Sequence, residues 1–240
     1  MLGVALAGGK GTRLNPLTKI YNKHFLLLKN KPIIFYCLKQ FQLLKIQNVC
    51  IVCNSKDYKS FKLIIDYYFN FKNIYYVNQN NPKGVLHGIN LVKKKFRKSD
   101  LLINLGDHFL FNFKGNNEIY KNINNFENII FSIRSKNVKD YGNLYFSKNK
   151  KKLIKIIEKP TRPYSDYILC GLLKVNSDLA NKIKLNKKSK RNEYEWVDFI
   201  NEYIELFSTV KLNSSYKWVD LGTFERLNFA NRILNKHENF

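Results

Sequence analysis

The 240-residue sequence contains no apolar run approaching the roughly 20 residues that cross a bilayer. Its opening apolar stretch, Met1 to Ala7, is too short for a secretion signal with its flanks and runs directly into glycines. A soluble, cytoplasmic protein is therefore expected. Cysteine is sparse. Cys37, Cys50, Cys53 and Cys170 lie in or beside apolar runs, and none is spaced with histidine as in a zinc module. Cys50 and Cys53 form a C-x-x-C, but inside the apolar stretch NVCIVCN, which reads as a strand, whereas redox motifs open a helix. Buried reduced thiols are expected. Acidic residues are scarce too: 18 against 42 basic ones, for a net charge of +24. Such a field attracts phosphates, nucleic acid or anionic membranes. The lysines, however, are spread with asparagine over nearly every segment, which marks solvated faces rather than a nucleic-acid tract. No nucleic-acid motif is present, the aromatics sit mostly in apolar element interiors, and neither nucleic acid nor membrane is expected as a partner. There is no repeat, linker or low-complexity tail.

What is present is alternation. Strand-like runs at Leu2–Leu6, Val49–Val52, Ile74–Val77 and Leu101–Leu105 are separated by helical patterns that begin after Pro32 and span Lys56–Phe69 and Val85–Phe96. Repeated βα units predict a mainly parallel sheet with helices on both faces. After Asp107 the texture shifts to Asn-rich loops, a helix near Ile119–Phe126, and strands at Ile129–Ile133, Gly142–Phe146 and Leu153–Ile157, with a solvated hairpin tip over residues 148–152. A strand at Ile168–Val175, a helix at Glu195–Leu206, strands near Thr209–Leu212 and Lys217–Val219, and a closing helix at Phe224–Leu234 complete the reading. The expected fold is α/β, a Rossmann-like parallel sheet with an inserted antiparallel portion. One domain is expected, with halves 1–110 and 111–240.

The most informative segment follows the first strand: Leu6-Ala7-Gly8-Gly9-Lys10-Gly11-Thr12-Arg13-Leu14. Glycines there let the backbone turn tightly and present successive N–H groups to phosphate oxygens. The spacing is neither that of a Walker loop nor that of the dinucleotide G-x-G-x-x-G, since Leu14 holds the last glycine position. Three glycines alone specify little. Arg13 and Lys23 add mobile cations suited to charge growing on a leaving pyrophosphate.

The run LAGGKGTRLNPLTKIYNKHFLLLKNKPIIFY resembles the signature of the sugar-1-phosphate nucleotidyltransferases (GT-A type), and NKH followed by KP is especially similar to the short glucose-1-phosphate thymidylyltransferases. The resemblance continues in order to Trp218-Val219-Asp220-Leu221-Gly222-Thr223. It implies that Leu6, Gly8, Gly9, Gly11, Thr12 and Arg13 hold a nucleoside triphosphate and that Lys23 contacts the reacting phosphates. Leu105-Gly106-Asp107 ends an apolar strand at the sheet edge where open α/β proteins bind ligands. By the resemblance, Asp107 and Asp220 share a magnesium ion, a hard cation satisfied by one or two carboxylates, phosphate oxygens and water.

On the same resemblance Gln79 and Gly84 read the base. An amide offers a pyrimidine edge both a donor and an acceptor, which does not separate thymine from uracil. Tyr141, Gly142, Glu158, Lys159, Gly171, Glu193 and Trp218 match the substrate side, with Lys159 neutralising the sugar 1-phosphate. The chain departs from the thymidylyl pattern at His87, where glutamine is usual, at Leu173, where an aromatic is usual, and at Ile157, which replaces an acid. It also stops soon after the closing helix, so no remote regulatory nucleotide site is expected. The implied activity joins a nucleoside triphosphate, dTTP first, to a sugar 1-phosphate, glucose 1-phosphate first, in a homo-oligomer. The alternatives are UTP- or CTP-dependent transfer to another sugar, or a nucleotide-sugar binder without turnover.

Overall fold

The computed structural model describes residues 1–112, 115, 117–149 and 152–236. In chain order, β1 (Leu2–Leu6) leads through the glycine turn and three short 3-10 turns to the two-residue strands β2 (Leu27–Leu28) and β3 (Lys31–Pro32). Then come α1 (Ile33–Leu43), β4 (Asn48–Cys53), α2 (Tyr58–Tyr68), β5 (Asn73–Asn78), α3 (Val85–Lys95), β6 (Leu101–Leu105) and β7 (His108–Asn112). The remainder is α4 (Asn117–Asn125), β8 (Ile129–Arg134), β9 (Gly142–Phe146), β10 (Leu153–Glu158), β11 (Tyr167–Val175), α5 (Ser177–Asn181), α6 (Trp196–Glu202), β12 (Ser208–Lys211), β13 (Tyr216–Asp220) and α7 (Phe224–Asn235). The fold is α/β with a mixed sheet, as expected.

Two compact units interleave along the chain: Met1–Pro82 with Asn104–Asn116 and Ser215–Phe240, and Lys83–Ile103 with Asn117–Ser214. In the first, β1, β4 and β5 run parallel, with Leu6 opposite Val52 and Val52 opposite Val77, so their C-terminal ends share one edge. β4 reads NVCIVC because it is covered on both faces, and Val49 through Cys53 are fully buried. α1 is buried around most of its circumference. Its Tyr36 hydroxyl donates to the Leu28 carbonyl (2.6 Å), and its ring lies 5.5 Å from that of Phe109 on β7. That packing seats β7, which pairs antiparallel with β13, Phe109 opposite Val219 and His108 opposite Asp220. α7 starts at a Thr223 cap, whose hydroxyl accepts from the Arg226 N–H, and it buries Leu227, Ala230 and Leu234 on one face.

In the second unit β9 and β10 form a hairpin with Gly142 opposite Glu158, β11 pairs antiparallel with β8, and β12 lies parallel to β8. Lys174 on β11 is buried and donates to the carbonyls of Ile123 and Phe126, at 2.7 Å each, closing the C-terminus of α4 with a cation. Of the expected solvated run 148–152, Lys148, Asn149 and Lys152 are exposed, while residues 150 and 151 lie outside the described residues. All four cysteines are free and buried, which pushes the thiol of Cys170 up to about 12. No helix among the described residues is long and apolar enough to cross a membrane.

Three local expectations are corrected. The stretch after Asp107 is not loop but strand β7, because its partner β13 comes from far along the chain. The helix expected at Glu195–Leu206 ends at Glu202, and Ile204–Leu206 winds as a 3-10 turn. Just before that end, the Asn201 amide is bonded to both backbone groups of Ile156 on β10. A short helix, α5, was not anticipated. It is capped by Asn176, whose side chain accepts from the Leu179 N–H.

Candidate active site

The glycine turn leaves the sheet edge at Leu6, whose carbonyl accepts the Gly106 N–H at 3.0 Å, so the turn carrying Asp107 is laced to the end of β1. Gln79 follows β5 at the same edge and is buried, with its N–H donated to the Cys53 carbonyl. A methyl group on Gly8 would come within 2.3 Å of Gln79 Oε1. The Gln79 amide thus lies directly against the turn, and a side chain at position 8 would displace it. Gly11 adopts φ +64°, and a methyl there would meet the Lys23 side chain at 3.1 Å, as one on Gly9 would meet Lys23 Nζ at 3.6 Å. Lys23 therefore crosses the glycine turn, and its ammonium ends on the Asp107 carboxylate. Thr12 and Arg13 occupy the 3-10 turn Thr12–Leu14 beside it.

Asp107 is buried, which alone would raise its pKa. The Lys23 ammonium and its hydrogen bond, with His108 and His24, outweigh burial and hold the carboxyl well below the usual carboxylate range. Asp220 closes β13, with its carboxylate buried and accepting from Arg226 Nη1 at 2.6 Å and from the Gly222 N–H at 2.8 Å. Arg13 Nη2 lies 3.6 Å away with its side chain 58% exposed. The turn bearing Asp107 is joined to the end of β13, since the Leu221 N–H donates to the Asp107 carbonyl at 2.8 Å. Trp218, also on β13, meets the His108 ring edge-on at 5.2 Å.

A divalent cation is expected on Asp107 and Asp220. Both acids offer hard oxygen, and each already holds a side-chain cation. Among the described residues no group of three or more His, Cys, Asp or Glu is placed to bind a metal. Two carboxylates suit magnesium when phosphate oxygens and water complete its shell.

The other expected residues gather in the second unit. Gly84 caps α3 at φ +102° with its Cα against Tyr194, and Tyr194 bonds Lys83 and Leu86 through its backbone. Gly142 stands opposite Glu158, and the Lys159 N–H donates to the Tyr141 carbonyl at 3.0 Å. Gly171 takes φ +82° where the β11 register with β8 shifts. Glu158 is linked through Arg191 to Glu195 and Glu193, at 3.3, 2.8 and 3.9 Å respectively. Burial first and the Glu195 charge second raise the pKa of Glu158, against Arg191 and Lys159.

Sequence reasoning missed Arg191, Arg226 and His24. Arg226 carried one usable signal, its place three residues after a helix-capping threonine that follows an aspartate. Arg191 carried none, because the convergence of three acids on it arises only in the fold. His24 is fully buried. Its Nδ1 lies 2.7 Å from Asn22 Oδ1, and burial first and the Lys23 charge second lower its pKa to about 3.

Residues 2–237 match the family described as nucleotidyl transferase. A glucose-1-phosphate thymidylyltransferase of Neisseria meningitidis is 28% identical over all of this chain and 84% of its own length. A bifunctional sugar-1-phosphate nucleotidylyltransferase/acetyltransferase of Sulfurisphaera tokodaii is 33% identical over 92% of this chain, a match spanning 52% of that longer protein. In three dimensions the chain superposes on a crystal structure from Bacillus anthracis, provisionally described as a glucose-1-phosphate thymidylyltransferase in complex with a sucrose. The TM-score is 0.84, with 23% identity over 97% of this chain and 95% of the other. With a family match over nearly its whole length and the same fold, this chain belongs to the nucleotidyl transferases.

Proposed function

We propose that the protein transfers a thymidylyl group from dTTP to glucose 1-phosphate, giving a nucleotide sugar and pyrophosphate. The observation that carries this reading is the meeting of Lys23 with Asp107 across the glycine turn, with Asp220 at the end of β13 held by Arg226 and Arg13. Backbone N–H groups of the turn suit the triphosphate, and Arg13 and Lys23 offer charge to the departing pyrophosphate. Magnesium, held by Asp107 and Asp220, would neutralise charge on the triphosphate as it reacts. Lys159 neutralises the sugar 1-phosphate, and Glu158 and Glu193 accept hydrogen bonds from sugar hydroxyls. A phosphate oxygen of the sugar attacks the α-phosphorus in line with the leaving pyrophosphate, so the α-phosphorus to bridging-oxygen bond breaks as the new one forms. No enzyme nucleophile takes part. Positioning and charge carry the rate. Gln79, lying on the glycine turn, and Gly84 belong to base selection. The same reading has the chain acting in the cytoplasm as a homo-oligomer, which light scattering on purified protein tests.

The deciding experiment measures pyrophosphate release with dTTP, UTP, CTP and GTP against a panel of sugar 1-phosphates, with Asp107→Asn alongside. We expect dTTP with glucose 1-phosphate to lead. Asp107→Asn should lose at least about a hundredfold in magnesium-dependent turnover while staying folded. Absence of turnover in every combination defeats the enzyme reading, and undiminished turnover in Asp107→Asn removes that residue from the site.

A further inference from the structure

The 3-10 turn Lys23–Phe25 presents two adjacent side chains with different fates: Lys23 reaches Asp107, and His24 is fully buried behind the same turn. Three observations converge on His24. First, its ring is oriented by a relay. Asn22 Nδ2 donates to Asp57 Oδ2 at 2.8 Å, and a carboxylate only accepts, so the amide oxygen faces His24. That oxygen takes both the His24 backbone N–H, at 3.0 Å, and Nδ1–H, at 2.7 Å, which fixes the tautomer with the proton on Nδ1. Second, Nε2 is then a bare acceptor, fully buried, with no hydrogen-bond partner among the described residues. Third, the opposite wall is Gly106, where an added methyl would stand 2.9 Å from Nε2, 3.0 Å from Cδ2 and 2.9 Å from the Leu6 carbonyl. The peptide carrying Asp107 is thus confined between the imidazole edge and the end of β1, with no room for a side chain at 106.

An orphaned buried acceptor is costly, and an apolar side chain of similar size would avoid that cost if packing alone were required. The imidazole instead joins the segment bearing Lys23 to the turn bearing Asp107. We propose that His24 is a positioning residue for metal binding: held by Asn22 and Asp57, its ring sets the Gly106–Asp107 turn, and thereby the place of the Asp107 carboxylate. This rests on the reading of Asp107 as a metal ligand. It assigns His24 no contact with substrate.

The test is the affinity for manganese(II), titrated by electron paramagnetic resonance with dTTP present and sugar phosphate absent, in four variants: Asp107→Asn, His24→Leu, Asn22→Ala and the His24→Leu/Asn22→Ala double. Circular dichroism and thermal melting establish that each is folded. We expect Asp107→Asn to abolish tight manganese binding and the two single variants to weaken it about tenfold. The double variant should be no weaker than the worse single by more than about twofold, since both cut one relay. Folded His24→Leu and Asn22→Ala that bind manganese as tightly as the parent, beside a defective Asp107→Asn, overturn the proposal and leave the metal reading intact. They would show that His24 only packs. Unchanged binding in Asp107→Asn sinks the metal reading and the proposal together. Should His24→Leu fail to fold, Asn22→Ala, which leaves the ring in place but unheld, decides alone.

Discussion

Arg226 holds Asp220 from the first turn of α7, Nη1 to Oδ2 at 2.6 Å, and so neutralises a buried carboxylate six residues before it in sequence. Arg13 approaches the same oxygen from the glycine turn, but it is farther away and more exposed. The closing helix, rather than the phosphate turn, is the main anchor of this acid.

Arg226→Leu should therefore cost about 3 kcal/mol of stability, because it leaves a buried charge with the Gly222 N–H and a solvent-facing Arg13 as its partners. The check is chemical denaturation without divalent cations. Added magnesium should recover part of the loss if Asp220 is a ligand, and Arg13→Leu should lose far less.

Stability should fall as the solution is acidified from neutral pH. His24 keeps a folded pKa near 3 against an ordinary value of 6.5, through burial and then the Lys23 charge. Between those values the unfolded chain binds the proton and the folded one does not. The contribution is complete above pH 6.5 and is lost at about 1.4 kcal/mol per unit on the way down. Glu158 acts in the opposite direction. Its raised pKa makes the folded state the better proton binder just above the ordinary glutamate range, which offsets part of the loss. Denaturant midpoints at pH 7, 6, 5 and 4 measure the slope, and His24→Leu should flatten it.

Gly84→Ala should destabilise the protein by about 1–3 kcal/mol. The residue sits at φ +102°, and a methyl would lie 2.5 Å from the Tyr194 carbonyl oxygen and 2.7 Å from its nitrogen, neither of which is a yielding side-chain end. Thermal melting reads the loss. Because the same backbone carries Glu193, the KM for sugar 1-phosphate should rise more than kcat falls.

The alternating half of the fold was legible because each element there announces itself locally. NVCIVC is buried on both faces, and the strand Leu101–Leu105 was placed to the residue. β7 was not, since HFLFN becomes a strand only through pairing with residues 216–220, and no local signal reports a partner so distant. In the site, a tight turn was legible from the glycines that follow the first strand, whereas its phosphate role, and the choice of Lys23 from the many other lysines, came from family likeness. The structure sets it on Asp107. Arg191 and His24 stayed hidden for the converse reason. Their positions depend on three acids and on a neighbouring glycine that come together only when the chain has folded.

The antiparallel pair that brings Asp220 beside the turn of Asp107 also dictates when the first unit is finished. Everything up to Asn112 can emerge from a ribosome and begin to condense, yet the neighbour of β7 is made only at residues 216–220. A polypeptide cut short before that point carries one acid of the two and an apolar strand edge with nothing laid against it. Truncation before residue 216 should thus be felt at β7 and at Asp107, more than a hundred residues earlier in the sequence.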